Sequence, residues 1–136
     1  MADIQMKLTI KAAPGKVYDA ISTQEGIAGW WCKDTIAKPE IGFTNVFTFG
    51  KIRNEFEVKD LKPGKRVDWK VIDSIEEWIG TNVSFNLEEK DGNTILRFEH
   101  SDWRAVTDLY AACTYDWARF MTSLKSLCET GVGTPA

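Results

Sequence analysis

His100 is the single histidine in a chain of 136 residues. With an ordinary pKa of about 6.5, an imidazole suits proton transfer near neutrality. No carboxylate stands close to it in sequence to orient the ring, so a buried, hydrogen-bonded histidine is the plainer expectation. Cys32, Cys113 and Cys128 are three, with no close pair. That pattern predicts free thiols in a reducing compartment, and no activating motif surrounds any of them. Structural zinc needs clustered ligands, which are absent. Glu76-Glu77 and Glu88-Glu89 resemble acid pairs, yet neighbours on a strand point to opposite faces. Neither pair can straddle one bond, and both read as solvated turn and surface charge. Gly26, Gly29 and Gly42 are too scattered for a phosphate-binding loop. No catalytic residue, metal or cofactor is therefore assigned.

Aromatic side chains dominate what remains. They make up 12% of the chain and include six tryptophans, more bulk than so small a core needs. Seventeen basic against 20 acidic residues give a net charge of −3, without the basic footprint of a nucleic-acid binder or a polybasic membrane patch. No apolar run approaches the roughly 20 residues that span a bilayer, and the N-terminal stretch lacks the pattern of a signal peptide. Asn82-Val83-Ser84 matches a glycosylation sequon by chance. A cytoplasmic protein of one domain, residues 1–136, is expected, without nucleic-acid or membrane partners.

The elements that must position these groups follow from periodicity. Ile4, Met6, Leu8 and Ile10 alternate with polar residues, as in a half-buried strand. Pro14 opens a helix carrying Val17, Tyr18 and Ile21, and Thr23 caps a second short helix that ends near Trp30 and Trp31. From Phe43 to Ser101 strands alternate with turns: Gly50-Lys51 suits a type II′ loop, Pro63-Gly64 a type II turn and Asp91-Gly92 a type I′ turn. Val106, Leu109, Tyr110, Cys113, Trp117, Phe120, Met121, Leu124, Leu127 and Cys128 step by three and four. They define one long amphipathic helix over Val106–Glu129, about 36 Å at 1.5 Å per residue, ended by Gly131, Gly133 and Pro135.

Each turn predicts a register. The three loops pair Phe47 with Asn54, Val58 with Trp69, Phe56 with Val71, Phe85 with Phe98, Leu87 with Leu96 and Val83 with His100. Large side chains meet on one face, while Glu57, Asp68, Lys70, Asn86, Arg97 and Glu99 fall on the other. A slip of one residue would invert the pattern. Asn54 and His100 are the polar residues forced inward, with Asn45 and Thr81 as weaker cases. Burying them dry would cost about 1–3 kcal/mol each. Trp78 begins a strand without an evident role. The fold class is α+β: a curved antiparallel sheet, two short helices after the first strand, and one long C-terminal helix over the sheet.

The stretch Lys11-Ala12-Ala13-Pro14-Gly15-Lys16-Val17-Tyr18-Asp19-Ala20-Ile21, followed by Trp30-Trp31, resembles the opening of the SRPBCC (START-like, birch-pollen-allergen-like) superfamily. The similar branch is the one named for the Aha-type activator of the 90-kDa heat-shock protein ATPase. Asp60 through Val67, Gly92 with Thr94, Leu96, Phe98 and His100, and Trp117 through Leu124 to Pro135 agree in order and spacing. Asp116 departs from the glycine expected before Trp117. The resemblance implies a helix-grip fold whose sheet and long helix enclose a cavity, in a superfamily whose members bind small apolar molecules or act as cyclases, aromatases or dehydratases.

On that reading the cavity walls would come from Trp31, Phe47, Asn54 and Trp69, from Phe85, Phe98 and His100, and from Tyr110, Trp117 and Met121 on the helix. Trp30, Trp31 and Trp103 would fall near its rim, with one of the first two plugging the core and the other a gate or exposed contact. The alternative is that these side chains simply pack as core. The leading functional expectation is binding of a small hydrophobic or aromatic molecule. A cyclase, dehydratase or hydrolase using His100 with a tyrosine such as Tyr110 is the second, and a chaperone co-factor acting by protein–protein contact is the third. Stimulation of the heat-shock ATPase by this chain alone is not expected, because the separate domain with which full activators hold the chaperone is missing from it. Weak homodimerisation, through a sheet edge or an exposed tryptophan, stays open.

Overall fold

The computed structural model describes residues 2–136. Strand β1 (Ala2–Ile10) leads into helices α1 (Pro14–Ser22) and α2 (Gln24–Trp30). Pro14 occupies the first turn of α1, where its missing N–H costs nothing. Thr23 caps α2 by accepting a hydrogen bond from the Gly26 amide at 3.0 Å. Strands β2 (Asp34–Ile36), β3 (Thr44–Phe49), β4 (Ile52–Lys62), β5 (Arg66–Asp73), β6 (Asn82–Lys90) and β7 (Asn93–Trp103) follow, and α3 (Asp108–Thr130) closes the chain. All seven strands form one antiparallel sheet in the order β1-β7-β6-β5-β4-β3-β2. The α+β architecture expected from the periodicity, in the helix-grip arrangement that the resemblance implies, is the one observed.

The registers agree pair by pair: Phe47 faces Asn54, Val58 faces Trp69, Phe56 faces Val71, and Val83, Phe85 and Leu87 face His100, Phe98 and Leu96. Positive φ at both Asp91 and Gly92 is the signature of a type I′ turn, and at Gly50 alone it fits type II′. The β4–β5 connection differs from expectation. Lys62 pairs with Arg66, so the loop holds Pro63, Gly64 and Lys65, and the Lys65 amide closes it on the Lys62 carbonyl at 2.8 Å. The register shift between Val58 and Asp60 absorbs the extra residue. The inward pairs therefore coincide with those of a two-residue loop.

Helix α3 begins two residues later than its apolar spacing suggests. Thr107 accepts from the Tyr110 amide at 3.2 Å and caps the helix at Asp108, leaving Val106 outside it and 71% exposed. Gly131, at φ 86°, takes the left-handed conformation that ends it. Cys113, Trp117, Met121, Leu124 and Cys128 are buried against the concave face of the sheet. Beyond α3 the chain folds back: the Ala136 amide donates to the Trp31 carbonyl at 2.9 Å, and the Thr134 amide donates to Ser123 Oγ at 2.7 Å.

Candidate ligand cavity

Trp31 lies at the end of α2, where it meets the sheet's concave face. Only 1% exposed, its indole is ringed by Phe47 at 4.6 Å, Trp117 at 5.2 Å, Phe49 at 5.5 Å, Phe56 at 5.7 Å and Trp69 at 6.0 Å between ring centroids. Trp30 is buried too, and its indole N–H donates to the Ala20 carbonyl at 2.8 Å. Neither tryptophan is an exposed gate, because both ends of the Trp-Trp pair insert between sheet and helix. Trp103 is likewise buried, not at a rim. Phe85, Phe98, Trp69 and Met121 complete the packing, so the deep space between sheet and helix is filled.

At the edge of this packing lies an apolar pocket with a volume of about 270 Å³. It lies where three elements meet at one end of the sheet. The β3–β4 hairpin contributes Phe49, Ile52 and Asn54; the β5–β6 connection contributes Ile75 and Trp78. Helix α3 contributes Leu109, Cys113, Asp116, Trp117 and Phe120, and Trp31 forms part of the wall. These helix positions recur at three and four, the same spacing that buries Cys113 and Trp117, so the pocket lines one edge of the helix's apolar stripe.

Of the residues expected to line a cavity, Trp31, Asn54 and Trp117 do so. Phe47, Trp69, Phe85, Phe98, His100 and Met121 are buried within the packed interior. Tyr110 is half-buried outside the pocket, its hydroxyl donating to the Asp3 carbonyl at 2.8 Å. Trp78, whose role the sequence left unexplained, is a wall residue. It does not begin a strand but ends a short 3-10 turn, Glu76–Trp78. Its indole stacks near-parallel on Trp117 at 6.4 Å and meets His100 edge-on at 5.2 Å. The apolar spacing of the helix pointed to Cys113 and Phe120. Nothing local marked Phe49, Ile52, Ile75 or Trp78, which join the wall through the way three segments converge.

His100 is 0% exposed and packs behind the two wall indoles. The Trp117 indole N–H donates to Nδ1 at 3.0 Å, so Nδ1 carries the lone pair and Nε2 the proton. Nε2–H then donates to Thr81 Oγ1 at 2.8 Å, and the Thr81 hydroxyl donates to the Trp78 carbonyl at 2.6 Å. Burial lowers the pKa to about 3. With its proton and its lone pair both committed to buried partners and no solvent access, the imidazole is not placed to exchange a proton with a ligand. The arrangement gives no support to general acid–base use of His100.

Asn54 is committed in the same way: its amide N–H donates to the Phe47 carbonyl at 3.0 Å and its oxygen accepts from Ser74 Oγ. Asn45 Oδ1 accepts from the Lys38 amide at 3.2 Å, while its amide nitrogen is buried without a partner. The Trp78 indole N–H is also buried without a partner at hydrogen-bond geometry, beside the Cys113 thiol. Burial pushes the Cys113 thiol up; the Trp78 indole opposes this, and the charges of Asp116 and Glu77 add to it. The thiol is thus neutral and a poor nucleophile. Cys32, Cys113 and Cys128 are all free and buried, and burial raises Cys128 to about 11. Among the described residues no group of His, Cys, Asp or Glu gathers to hold a metal, and no helix is long and apolar enough to cross a membrane.

Comparison with known proteins agrees with this fold. A protein called the Aha1 dimer from Colwellia psychrerythraea, solved in solution, is 39% identical over 98% of this chain and 100% of its own, with a TM-score of 0.90. Protein MLL2253 from Mesorhizobium loti shares 21% identity over 93% of this chain and 96% of its own, at a TM-score of 0.82. CalU16 from Micromonospora echinospora shares 15% over 97% and 76%, at 0.77. The last two show the fold alone. No curated protein matches the sequence significantly. The family model described as Activator of Hsp90 ATPase homolog 1-like protein matches residues 11–129, and the chain belongs to that family.

Proposed function

We propose that this protein binds a small, neutral or cationic, ring-sized apolar molecule in the pocket between the β3–β4 hairpin, the β5–β6 connection and α3. One observation carries the reading: a pocket of about 270 Å³ with an aromatic and aliphatic wall persists beside an otherwise filled interior. Pockets of this kind, apolar with few polar groups, are where small molecules bind. At that volume the ligand is about ten heavy atoms. At about 0.5 kcal/mol per atom its Kd is on the order of 0.1 mM. A cytoplasmic setting fits the three unpaired thiols.

Quinoline, which has the right size, tests this. Titration followed by NMR at the indole N–H signals should give saturable shifts at Trp31, Trp78 and Trp117, with Trp30 and Trp103 unmoved. Ile75→Trp, which fills the pocket from its half-buried wall, should abolish the shifts and leave the fold intact. Absence of saturable shifts in the native chain would remove the proposal.

Because the Colwellia relative is a dimer, we also propose that two copies of this chain associate. Contact with a chaperone draws its support from the family's name alone.

A further inference from the structure

The pocket's electrostatics narrow the ligand class. Its wall presents three indoles, Trp31, Trp78 and Trp117, and two phenyl rings, Phe49 and Phe120. Asp116 is the only charged side chain among the lining residues, and no lysine, arginine or histidine joins it. The two charges acting on the Cys113 thiol in the wall are both carboxylates, Asp116 and Glu77. Asp116 is paired with Arg119, whose guanidinium lies 3.6 Å from Asp116 Oδ1 with both side chains more than half exposed. Such a pair is weakly held and well screened. Arg119 also leans over the Tyr115 ring, away from the lining set.

Hydrogen-bonding capacity points the same way. Asn54, the one neutral amide in the wall, gives one N–H to the Phe47 carbonyl, and its oxygen accepts from Ser74. A head group that demands several acceptors, such as a primary ammonium, would find little here. Aromatic faces with a negative border and few free acceptors suit a methylated ammonium, which needs no hydrogen bond and is attracted by the ring quadrupole.

We infer that the pocket selects a quaternary or otherwise fully alkylated ammonium group over a neutral group of the same shape. This rests on the reading of the pocket as a ligand site and specifies its chemistry: the aromatic walls take the methyl groups, and Asp116 at the border supplies the countercharge.

Choline and 3,3-dimethylbutan-1-ol differ only in having nitrogen or carbon at the branch point, so they isolate the charge. Both are titrated against the full chain at low salt, alongside quinoline, with the indole N–H signals as readout. Choline should bind at least about tenfold more tightly than the alcohol and shift Trp31, Trp78 and Trp117. Asp116→Asn, an exposed substitution that leaves the core untouched, should weaken choline about three- to tenfold and quinoline by less than about twofold. Arg119→Ala should tighten choline. Equal binding of choline and the alcohol, or choline binding indifferent to Asp116→Asn, overturns the charge selection. Quinoline binding without choline binding overturns it while the pocket reading stands. Loss of all three removes both.

Discussion

Between pH 6.5 and about 3, folded His100 stays neutral while the unfolded chain takes up a proton. The folded pKa is depressed, so its contribution to stability is complete above 6.5 and is lost as the pH falls toward 3. Within that window the slope approaches about 1.4 kcal/mol per pH unit. Urea unfolding at pH 7, 5.5 and 4 should show it, and His100→Asn should flatten the curve over that range. The substitution also lowers stability at pH 7 by about 1–3 kcal/mol, since the Trp117 N–H and Thr81 lose a shaped partner. Glu129 adds a separate, more acidic component. Its carboxylate accepts from the Lys11 amide at 2.7 Å and from Lys125 Nζ at 2.8 Å, which holds its pKa below the usual 4.5. That contribution is present above 4.5 and lost below it, so Glu129→Gln should change only the acid end of the curve. That His100 faces inward was legible from strand alternation. Its two partners were not, because Thr81 comes from a connection and Trp117 from a helix.

At the level of elements, the close crossing of α1 and α2 sets where Trp30 and Trp31 enter the core. A Cβ on Gly26 would lie 2.5 Å from the Asp19 carbonyl oxygen and 2.6 Å from Ala20 Cα, both backbone atoms that cannot swing aside. Gly26→Ala should therefore cost about 1–3 kcal/mol or more in thermal or chemical unfolding. Gly15, also helical, has nothing within 4 Å of such a Cβ. Gly15→Ala should stabilise by about 0.5–1 kcal/mol. A gain from Gly26→Ala comparable to that from Gly15→Ala would show that helix propensity, and not the crossing, governs the position. The hairpins were readable because turn chemistry and alternation act over a few residues. The β4–β5 loop was misjudged by one residue, since a bulge three strand positions away corrects the phase and hides the difference in the inward pattern.

Over the whole molecule, the surplus of tryptophan resolves into two uses. Trp30, Trp31, Trp69, Trp103 and Trp117 are buried and fill the interior between sheet and helix. Trp78 stays half-buried and, with Trp31 and Trp117, lines the pocket. Self-association is a property of this scale as well: sedimentation across a concentration range should reveal a dimer, and a monomer at every concentration would refute it. Strand β2, at one edge of the sheet, is only three residues long. It offers little backbone for extending the sheet, whereas β1, at the opposite edge, presents nine residues to a second copy. By itself the sequence determined most of the strands, the β3–β4 and β6–β7 turns, the inward registers and the helix that covers them. Those features follow from the two-residue and 3.6-residue periods and from residues that tolerate particular backbone angles. Only the tertiary structure decided which inward aromatics fill space and which border it. That outcome depends on volumes brought together from α2, the β3–β4 hairpin, the β5–β6 connection and α3, and no local period carries the sum of volumes from segments far apart in the chain.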